Sequence, residues 1–161
     1  MIGLNEELEE REKTGKRVRI GLIGAGQMGT DVVAEVKMMQ GIEVVVIADI
    51  DLQRASSAYK IAMLDGEPVI AETAADADLA VNAGKRVVTG DYRIVTEMKT
   101  VDVMLEATGV PEIGTRAALR SAYNGQDLSM MNVETDITVG PILNWYAKKK
   151  NVLYALAAGD E

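Results

Sequence analysis

Residues 18–29 read VRIGLIGAGQMG, a short apolar run that ends in three glycines spaced as G-x-G-x-x-G. The apolar run predicts a buried strand, and the glycine loop leads from it into a helix. Gly24 permits a tight turn, Gly26 lets a phosphate group approach the backbone, and Gly29 lets the helix pack closely on the strand. The start of that helix offers unpaired N–H groups and the positive end of a dipole, which together suit a pyrophosphate.

The neighbouring sequence supplies the context that this motif needs, because glycines alone also mark ordinary turns. One apolar stripe of a helix follows the loop: Met28, Val32, Val36 and Met39. Residues 42–48 (IEVVVIA) are typical of a parallel strand covered on both faces. Asp49 comes next, twenty residues after Gly29, where a carboxylate can accept hydrogen bonds from an adenosine ribose. The unit predicts a Rossmann-type dinucleotide site; the alternative is a similar βαβ unit without such a ligand.

The rest of the chain alternates predicted strands and helices. Further strands are predicted at 86–90, 101–107, 128–132 and 152–157. Helices are predicted at 52–64, 74–83, 91–98, 111–124 and 138–150. About six strands separated by helices imply right-handed crossovers and an α/β, doubly wound parallel sheet with strand order 3-2-1-4-5-6.

Two regions are predicted along the chain. Residues 1–16 precede the sheet and contain a polar helix over 4–14, which packs on a neighbouring domain, covers a sheet edge or is solvated. Residues 17–161 form the dinucleotide-binding domain. The chain ends directly after the sixth predicted strand, whereas a hydride-transfer enzyme needs a second region to hold its substrate. We therefore expect the N-terminal domain of a longer protein, which without its catalytic domain binds cofactor and turns nothing over.

The composition excludes several classes of site. The 161 residues include no cysteine and no histidine, which rules out disulfides, Cys/His zinc sites, thiol catalysis and histidine acid–base chemistry. A formal charge of −8 predicts that nucleic acid is not a partner. No apolar run approaches the roughly 20 residues that span a bilayer, so no membrane association is expected. The acidic N-terminus is unlike a secretory or transit peptide, which predicts a cytoplasmic protein.

Cofactor contacts are predicted at the ends of the strands. They comprise Gly24, Ala25, Gly26, Gln27, Met28, Gly29, Asp49, Arg54, Thr108, Gly109 and Asn132. Asp49 favours NAD because it would repel a 2′-phosphate, although it or Asp51 could simply cap the next helix. Arg54 could pair with that phosphate, stack on adenine or be solvated, so NAD or NADP stays open. Thr108-Gly109 could be a turn only, and Asn132 either satisfies local backbone groups or approaches the nicotinamide.

Several acids are candidates for the substrate side of the cleft. They are Glu134, Asp160 and Glu161. With Asp136 they could converge on a divalent cation that polarises a carbonyl, but Asp136 fits better as the cap of the following helix. No metal site is therefore predicted, and no catalytic residue is assigned.

Four stretches together resemble one group of enzymes. They are residues 21–29, ATGVPEIG at 107–114, MMNVETDITVGP at 130–141 and AAGDE at 157–161. They resemble the homoserine-dehydrogenase-like NAD(P)-dependent oxidoreductases, which typically carry a SAF domain farther along, and the similar deoxyxylulose-phosphate-reductoisomerase-like enzymes of some bacteria. The resemblance covers most of residues 17–161. It stops short of homoserine as substrate, because homoserine dehydrogenases have an Asn-Lys pair where this chain has Asn132-Val133.

The resemblance implies a cytoplasmic oxidoreductase that uses NADH or NADPH for hydride transfer on a small carbonyl or hydroxy substrate. The implied cofactor contacts are Gly24, Gly26, Gln27, Met28, Asp49, Thr108, Gly109 and Asn132. The expected partners are the small-molecule substrate, bound through the absent C-terminal region, and further copies of the chain. The alternative is an NAD(H)-sensing regulatory module, although such a module needs no polar substrate side. A methyltransferase fits less well, because Gly29 and Asp49 suit a dinucleotide better.

Overall fold

A computed structural model describes residues 3–157, and within this range seven parallel strands form one sheet. The strands are β1 (Val18–Ile23), β2 (Ile42–Ala48), β3 (Val69–Ile70), β4 (Val87–Thr89), β5 (Val103–Glu106), β6 (Asp127–Met130) and β7 (Tyr154–Leu156). The helices are α1 (Leu4–Thr14), α2 (Gln27–Met38), α3 (Leu52–Ile61), α4 (Ala74–Asn82), α5 (Tyr92–Glu97), α6 (Pro111–Asn124) and α7 (Val133–Lys150). No helix in this range is long and apolar enough to cross a membrane.

The strand order is β3-β4-β2-β1-β5-β6-β7. The predicted order of the six longer strands is therefore confirmed, but the number of strands was wrong. The additional strand, β3, has two residues and pairs with β4 at the edge of the sheet, Val69 with Val87 and Ile70 with Val88. A two-residue strand is too short to show periodicity, so no sequence pattern predicts it.

The sheet divides the apolar core in two. Leu22 and Ile47 face the side covered by α2 and α3, whereas Ile23, Val46 and Met104 face the side covered by α4 to α7. Helices on both faces explain why these strands are apolar along their whole length. The predicted doubly wound Rossmann-type fold is confirmed.

The carboxyl ends of the central strands lie at one level. Ile23, the last residue of β1, pairs with Ala48 on one side and with Glu106 on the other. Ala48 pairs in turn with Thr89, and Glu106 with Met130. The loops that follow β1, β2, β4, β5 and β6 therefore emerge together, at the edge where doubly wound sheets bind ligands.

Helix α7 begins five residues earlier than predicted, and its cap is a different residue. The Asn132 side chain caps the helix by accepting a hydrogen bond from the Thr135 amide at 3.0 Å. The prediction that Asp136 caps this helix was wrong. The first turn contains no apolar stripe, since the periodic pattern starts only at Val139, and the sequence prediction therefore began too late.

Helix α1 lies at the amino ends of β1 and β2, and none of its residues is buried. The Glu12 carboxylate accepts a hydrogen bond from the Gly41 amide at 2.9 Å and pairs with Arg17. A Cβ at Gly41 would lie 2.2 Å from the Leu8 carbonyl oxygen, so the helix packs directly on the turn before β2. The predicted polar helix is thus confirmed, and its contact with the domain is mainly polar.

Candidate functional site

The three glycines of the loop after β1 have three different surroundings. Gly24 has a φ of 98°, and a Cβ there would lie 2.8 Å from the Ala107 carbonyl group. A Cβ on Gly29 would lie 2.0 Å from the Gly24 carbonyl oxygen, so no side chain fits between α2 and the loop. A Cβ on Gly26 would meet nothing within 4 Å. Two glycines therefore allow close packing within the protein, and the third leaves the backbone accessible from outside.

The first turn of α2 faces this open side. Gly26 is the N-cap of the helix, no side chain caps it, and the first turn contains no acidic residue. The first amides of a helix have no acceptor within the helix, and the dipole adds partial positive charge. The start of α2 can therefore hold an anionic group.

Asp49 connects the two loops on either side of the cleft. Its Oδ2 accepts a hydrogen bond from the Ala25 amide at 2.8 Å, and its Oδ1 accepts one from the Asp51 amide at 2.9 Å. Asp51, not Asp49, caps α3 by accepting from the amides of Gln53 and Arg54. A carboxylate has about four lone-pair positions, so Asp49 can still accept hydrogen bonds from a ligand hydroxyl.

A cleft of about 350 Å³ lies between these loops. It brings together five residues of the predicted set: Gly24, Gly26, Asp49, Arg54 and Thr108. It is also lined by Ile23, Ala48, Ile50, Gly90, Tyr92, Ala107, Val110 and Ile113, none of which was predicted as a contact. Most of these follow the ends of β2, β4 and β5, and this position is the signal that could have identified them. The cleft is more apolar than the motif alone suggests.

The other predicted contacts lie around the cleft and not on its walls. Ala25 is buried beneath the loop, Gln27 and Met28 are exposed in the first turn of α2, and Gly29 is buried under that turn. Gly109 is exposed, with a φ of 68°. These residues shape the loops, and whether they contact a ligand stays a prediction.

The loop after β5 is held by a residue that the sequence prediction treated only as part of a strand. The Glu106 carboxylate accepts hydrogen bonds from the Thr108 amide at 2.9 Å and from the Thr108 hydroxyl. The same hydroxyl accepts a hydrogen bond from the Val110 amide at 3.1 Å. Burial raises the pKa of Glu106 above its ordinary value, while the hydrogen bonds from Thr108 act in the opposite direction. An acid at the end of an apolar strand was the available signal.

Of the acidic candidates for the substrate side, the structure describes Glu134 and Asp136. Glu134 is exposed in the first turn of α7, and Asp136 accepts a hydrogen bond from the Tyr154 hydroxyl at 2.6 Å. Asn132 is 2% exposed and does not line the cleft. Asp160 and Glu161 lie outside the described residues. Between residues 3 and 157, no group of three or more acidic side chains is arranged to hold a metal ion.

A second concavity, of about 400 Å³, lies at the amino ends of the strands. Two of its basic residues already have acidic partners: Arg17 pairs with Glu12 and Glu43, and Arg19 pairs with Glu43. This concavity contains none of the predicted contacts. The cleft at the carboxyl ends is therefore the candidate site.

Comparison with known proteins supports the fold assignment. No protein-family model and no curated protein sequence matches the chain. The myo-inositol dehydrogenase of Lactobacillus casei, solved with NAD(H) and myo-inositol, is similar over 88% of this chain and 36% of its own, with a TM-score of 0.64 and 17% identity. The homoserine dehydrogenase of Thiobacillus denitrificans is similar over 88% and 29%, with a TM-score of 0.62 and 18% identity.

The scyllo-inositol dehydrogenase of Lactobacillus casei, solved with NAD(H) and scyllo-inositol, has a TM-score of 0.60 and 12% identity over 88% of this chain and 36% of its own. The chain thus spans roughly a third of the length of these three structures. At such low identity the likeness establishes a shared Rossmann-type fold, and function must be argued from the site.

Proposed function

We propose that the cleft binds NAD(H) or NADP(H) and that the chain is the cofactor-binding domain of an oxidoreductase. One observation carries the proposal: Gly24 and Gly29 are closed by protein atoms, whereas Gly26 opens on empty space at the uncapped start of α2. This is the arrangement that a pyrophosphate requires. The similar solved dehydrogenases that contain NAD(H) support the same cofactor.

The described residues fit a dinucleotide along the whole edge of the sheet. The amides at the start of α2 would hold the pyrophosphate, and Asp49 would accept the ribose hydroxyls. Ile50 and Tyr92 would border the adenine side, and Thr108 the nicotinamide side. When bound, the cofactor supplies the hydride, while the protein orients it and excludes competing reactions.

We further propose that NAD(H) is preferred over NADP(H). Two backbone amides hold the Asp49 carboxylate in place, so it cannot turn away from a 2′-phosphate. The Arg54 side chain lines the same wall of the cleft, but it is exposed and flexible. Its positive charge therefore offsets the repulsion between Asp49 and a 2′-phosphate only in part. A fixed negative charge next to the ribose therefore outweighs a mobile positive one.

We propose that the chain belongs to a homoserine-dehydrogenase-like, cytoplasmic oxidoreductase that transfers hydride to a small carbonyl substrate. Additional polypeptide and association with further copies of the chain would complete the substrate site. The likeness to a homoserine dehydrogenase fold and the sequence stretches at 107–114 and 130–141 support this type. Val133, in place of a lysine, argues for a substrate other than homoserine.

Calorimetric titration of the chain with NADH and with NADPH tests the proposal. We expect the wild type to bind NADH more tightly, and Asp49→Ala to weaken NADH binding and to reduce the preference. Asp51→Ala is the control, because it removes the cap of α3, worth about 1 kcal/mol of stability, but leaves the ribose acceptor in place. Tighter binding of NADPH by the wild type, or an unchanged preference in Asp49→Ala, would refute this assignment of Asp49.

A further inference from the structure

Glu106 is a buried carboxyl group without a cationic partner. It is the last residue of β5 and is completely inaccessible to solvent, and no ion pair in the described part of the chain involves it. Burying an unpaired carboxyl group is expensive unless hydrogen bonds compensate it. Apolar residues fill the equivalent end positions of β1 and β2, so the fold itself does not require an acid here.

One oxygen of this carboxyl fixes the loop that lines the cleft. Oε1 accepts hydrogen bonds from the amide and the hydroxyl of Thr108. Because the Thr108 hydroxyl donates to Glu106, its lone pairs are left to accept from the Val110 amide. Thr108 and Val110 both line the cleft, and Glu106 thus determines how the loop between β5 and α6 faces a ligand.

The other oxygen lies beside the loop after β6. A Cβ on Gly114 would be 3.0 Å from Glu106 Oε2 and 3.2 Å from Asn132 Nδ2, so both atoms lie against the same residue of α6. Both atoms are buried, and neither has a hydrogen-bond partner among the described residues. The Asn132 oxygen is already used to cap α7. Only the amide NH₂ of Asn132 is therefore available to the carboxylate.

We propose that Glu106 is a positioning residue, which sets the loops after β5 and β6 in one arrangement at the nicotinamide end of the cleft. The inference rests on the proposed function. The ribose and pyrophosphate sites at Asp49 and Gly26 belong to the first half of the fold, whereas Glu106, Thr108 and Asn132 belong to the second half, where the other mononucleotide lies. Glu106 thus acts through Thr108 and Asn132 and does not touch the ligand.

Glu106→Gln tests this role without changing the shape of the side chain. Both hydrogen bonds to the carboxyl come from Thr108, and the Asn132 NH₂ lies against the same residue of α6 as Oε2, so a glutamine NH₂ faces a donor in either orientation. The double variant Glu106→Gln with Asn132→Asp restores the pairing, because one aspartate oxygen accepts from the glutamine and the other caps α7. Asn132→Asp alone places two carboxyl groups together and is the mismatched control.

The binding of NADH is compared with that of ADP-ribose, which lacks the nicotinamide. We expect Glu106→Gln to raise the Kd for NADH about tenfold and to change the Kd for ADP-ribose less than about twofold, and the double variant to recover most of the NADH affinity. If Glu106→Gln does not fold, Asn132→Asp, at a residue that does not line the cleft, should show the same selective loss.

The outcomes separate this inference from the proposed function. Equal loss of NADH and ADP-ribose affinity, no loss of either, or no recovery in the double variant would overturn the role of Glu106 and leave the cofactor site standing. Failure of the wild type to bind either compound would overturn the proposed function and, with it, this inference.

Discussion

The glycines in the loop after β1 are chemically identical but serve different purposes. Gly29 lies where a Cβ would meet the Gly24 carbonyl oxygen at 2.0 Å, whereas Gly26 faces open space with ordinary backbone angles. Packing within the protein and access for a ligand are therefore assigned to separate residues, and substitution can test them separately.

Gly29→Ala should destabilise the protein, and Gly26→Ala should not. The added methyl group at position 29 has to push α2 away from the loop, at a cost of about 2 kcal/mol or more. At position 26 the methyl group enters solvent, so the free energy of unfolding should change by less than about 0.5 kcal/mol. Urea unfolding followed by circular dichroism measures both. Similar losses of unfolding free energy in the two variants would show that Gly26 does not face open space.

The pH dependence of stability should reveal the buried carboxyl group. Because burial raises the pKa of Glu106 in the folded state, the folded protein holds this proton after the unfolded chain has released it. The contribution of Glu106 to stability is thus fully present below its ordinary pKa of 4.5 and is lost as pH rises through the raised pKa of the folded state.

Relative to the wild type, Glu106→Gln should therefore gain unfolding free energy as pH rises from 4.5 upward. The measurement is urea unfolding at a series of pH values, with the exposed Glu112→Gln as the control for a simple change of charge. A constant difference between Glu106→Gln and the wild type across this range would contradict a raised pKa at Glu106.

For individual residues, the sequence predicted the roles that depend on a local motif. The spacing of Gly24, Gly26 and Gly29 predicted their packing roles, because those depend on the backbone of one loop. The partners of Glu106 could not be predicted, since Thr108, Gly114 and Asn132 meet only after β5 and β6 pair. The hydrogen bond from the Ala25 amide to Asp49 depends likewise on the pairing of β1 with β2.

Among the elements, α7 and β7 are joined by a polar contact at the edge of the sheet. The Tyr154 hydroxyl donates to Asp136 at 2.6 Å. A Cβ on Gly140, one helical turn after Asp136, would collide with that carboxylate. Burial and the neighbouring Asp136 raise the pKa of Tyr154, so its hydroxyl stays protonated and remains a donor. Asp136 thus fastens the last described strand and does not cap the helix.

Tyr154→Phe should weaken this attachment while keeping the ring in place. Loss of one partly exposed hydrogen bond predicts a decrease of about 1 kcal/mol in the free energy of unfolding. Tyr146→Phe, on α7 but outside this contact, is the matched control. Urea unfolding of the two variants tests the assignment, and equal stability of Tyr154→Phe and the wild type would argue against it.

The elements themselves were largely predictable from periodicity and turn residues. Helix α6 begins at Pro111 and ends at Asn124, as predicted, and Asp91 caps α5. The failures have physical causes: β3 is defined by pairing with β4 and not by its own two residues, and the first turn of α7 is stabilised by the Asn132 cap in place of an apolar stripe.

For the whole molecule, the attachment of α1 depends on charge more than on apolar contact. The hydrogen bond with Arg17, followed by that from the Gly41 amide, lowers the pKa of Glu12 from 4.5 to about 2. A lowered folded-state pKa adds stability above 4.5 that is lost as pH falls toward 2. The difference in unfolding free energy between Glu12→Gln and the wild type should therefore shrink as pH falls over this range.

Hydrogen exchange at the Gly41 amide measures this attachment directly. We expect faster exchange in Glu12→Gln than in the wild type near neutral pH, and unchanged exchange in Glu10→Gln, which makes the same charge change on the same helix. Equal protection of Gly41 in all three proteins would show that α1 is held by other contacts.

The proposed cofactor-binding role requires that the cleft at the carboxyl ends of the strands binds a dinucleotide. Calorimetric titration of NADH into the wild type, Gly26→Ala and the remote control Gly3→Ala tests this most directly, because neither substitution meets a neighbouring atom. We predict that the wild type and Gly3→Ala bind alike, and that Gly26→Ala binds at least about tenfold more weakly while remaining as stable. Undiminished binding by Gly26→Ala, or no binding by the wild type, would contradict a dinucleotide site in this cleft.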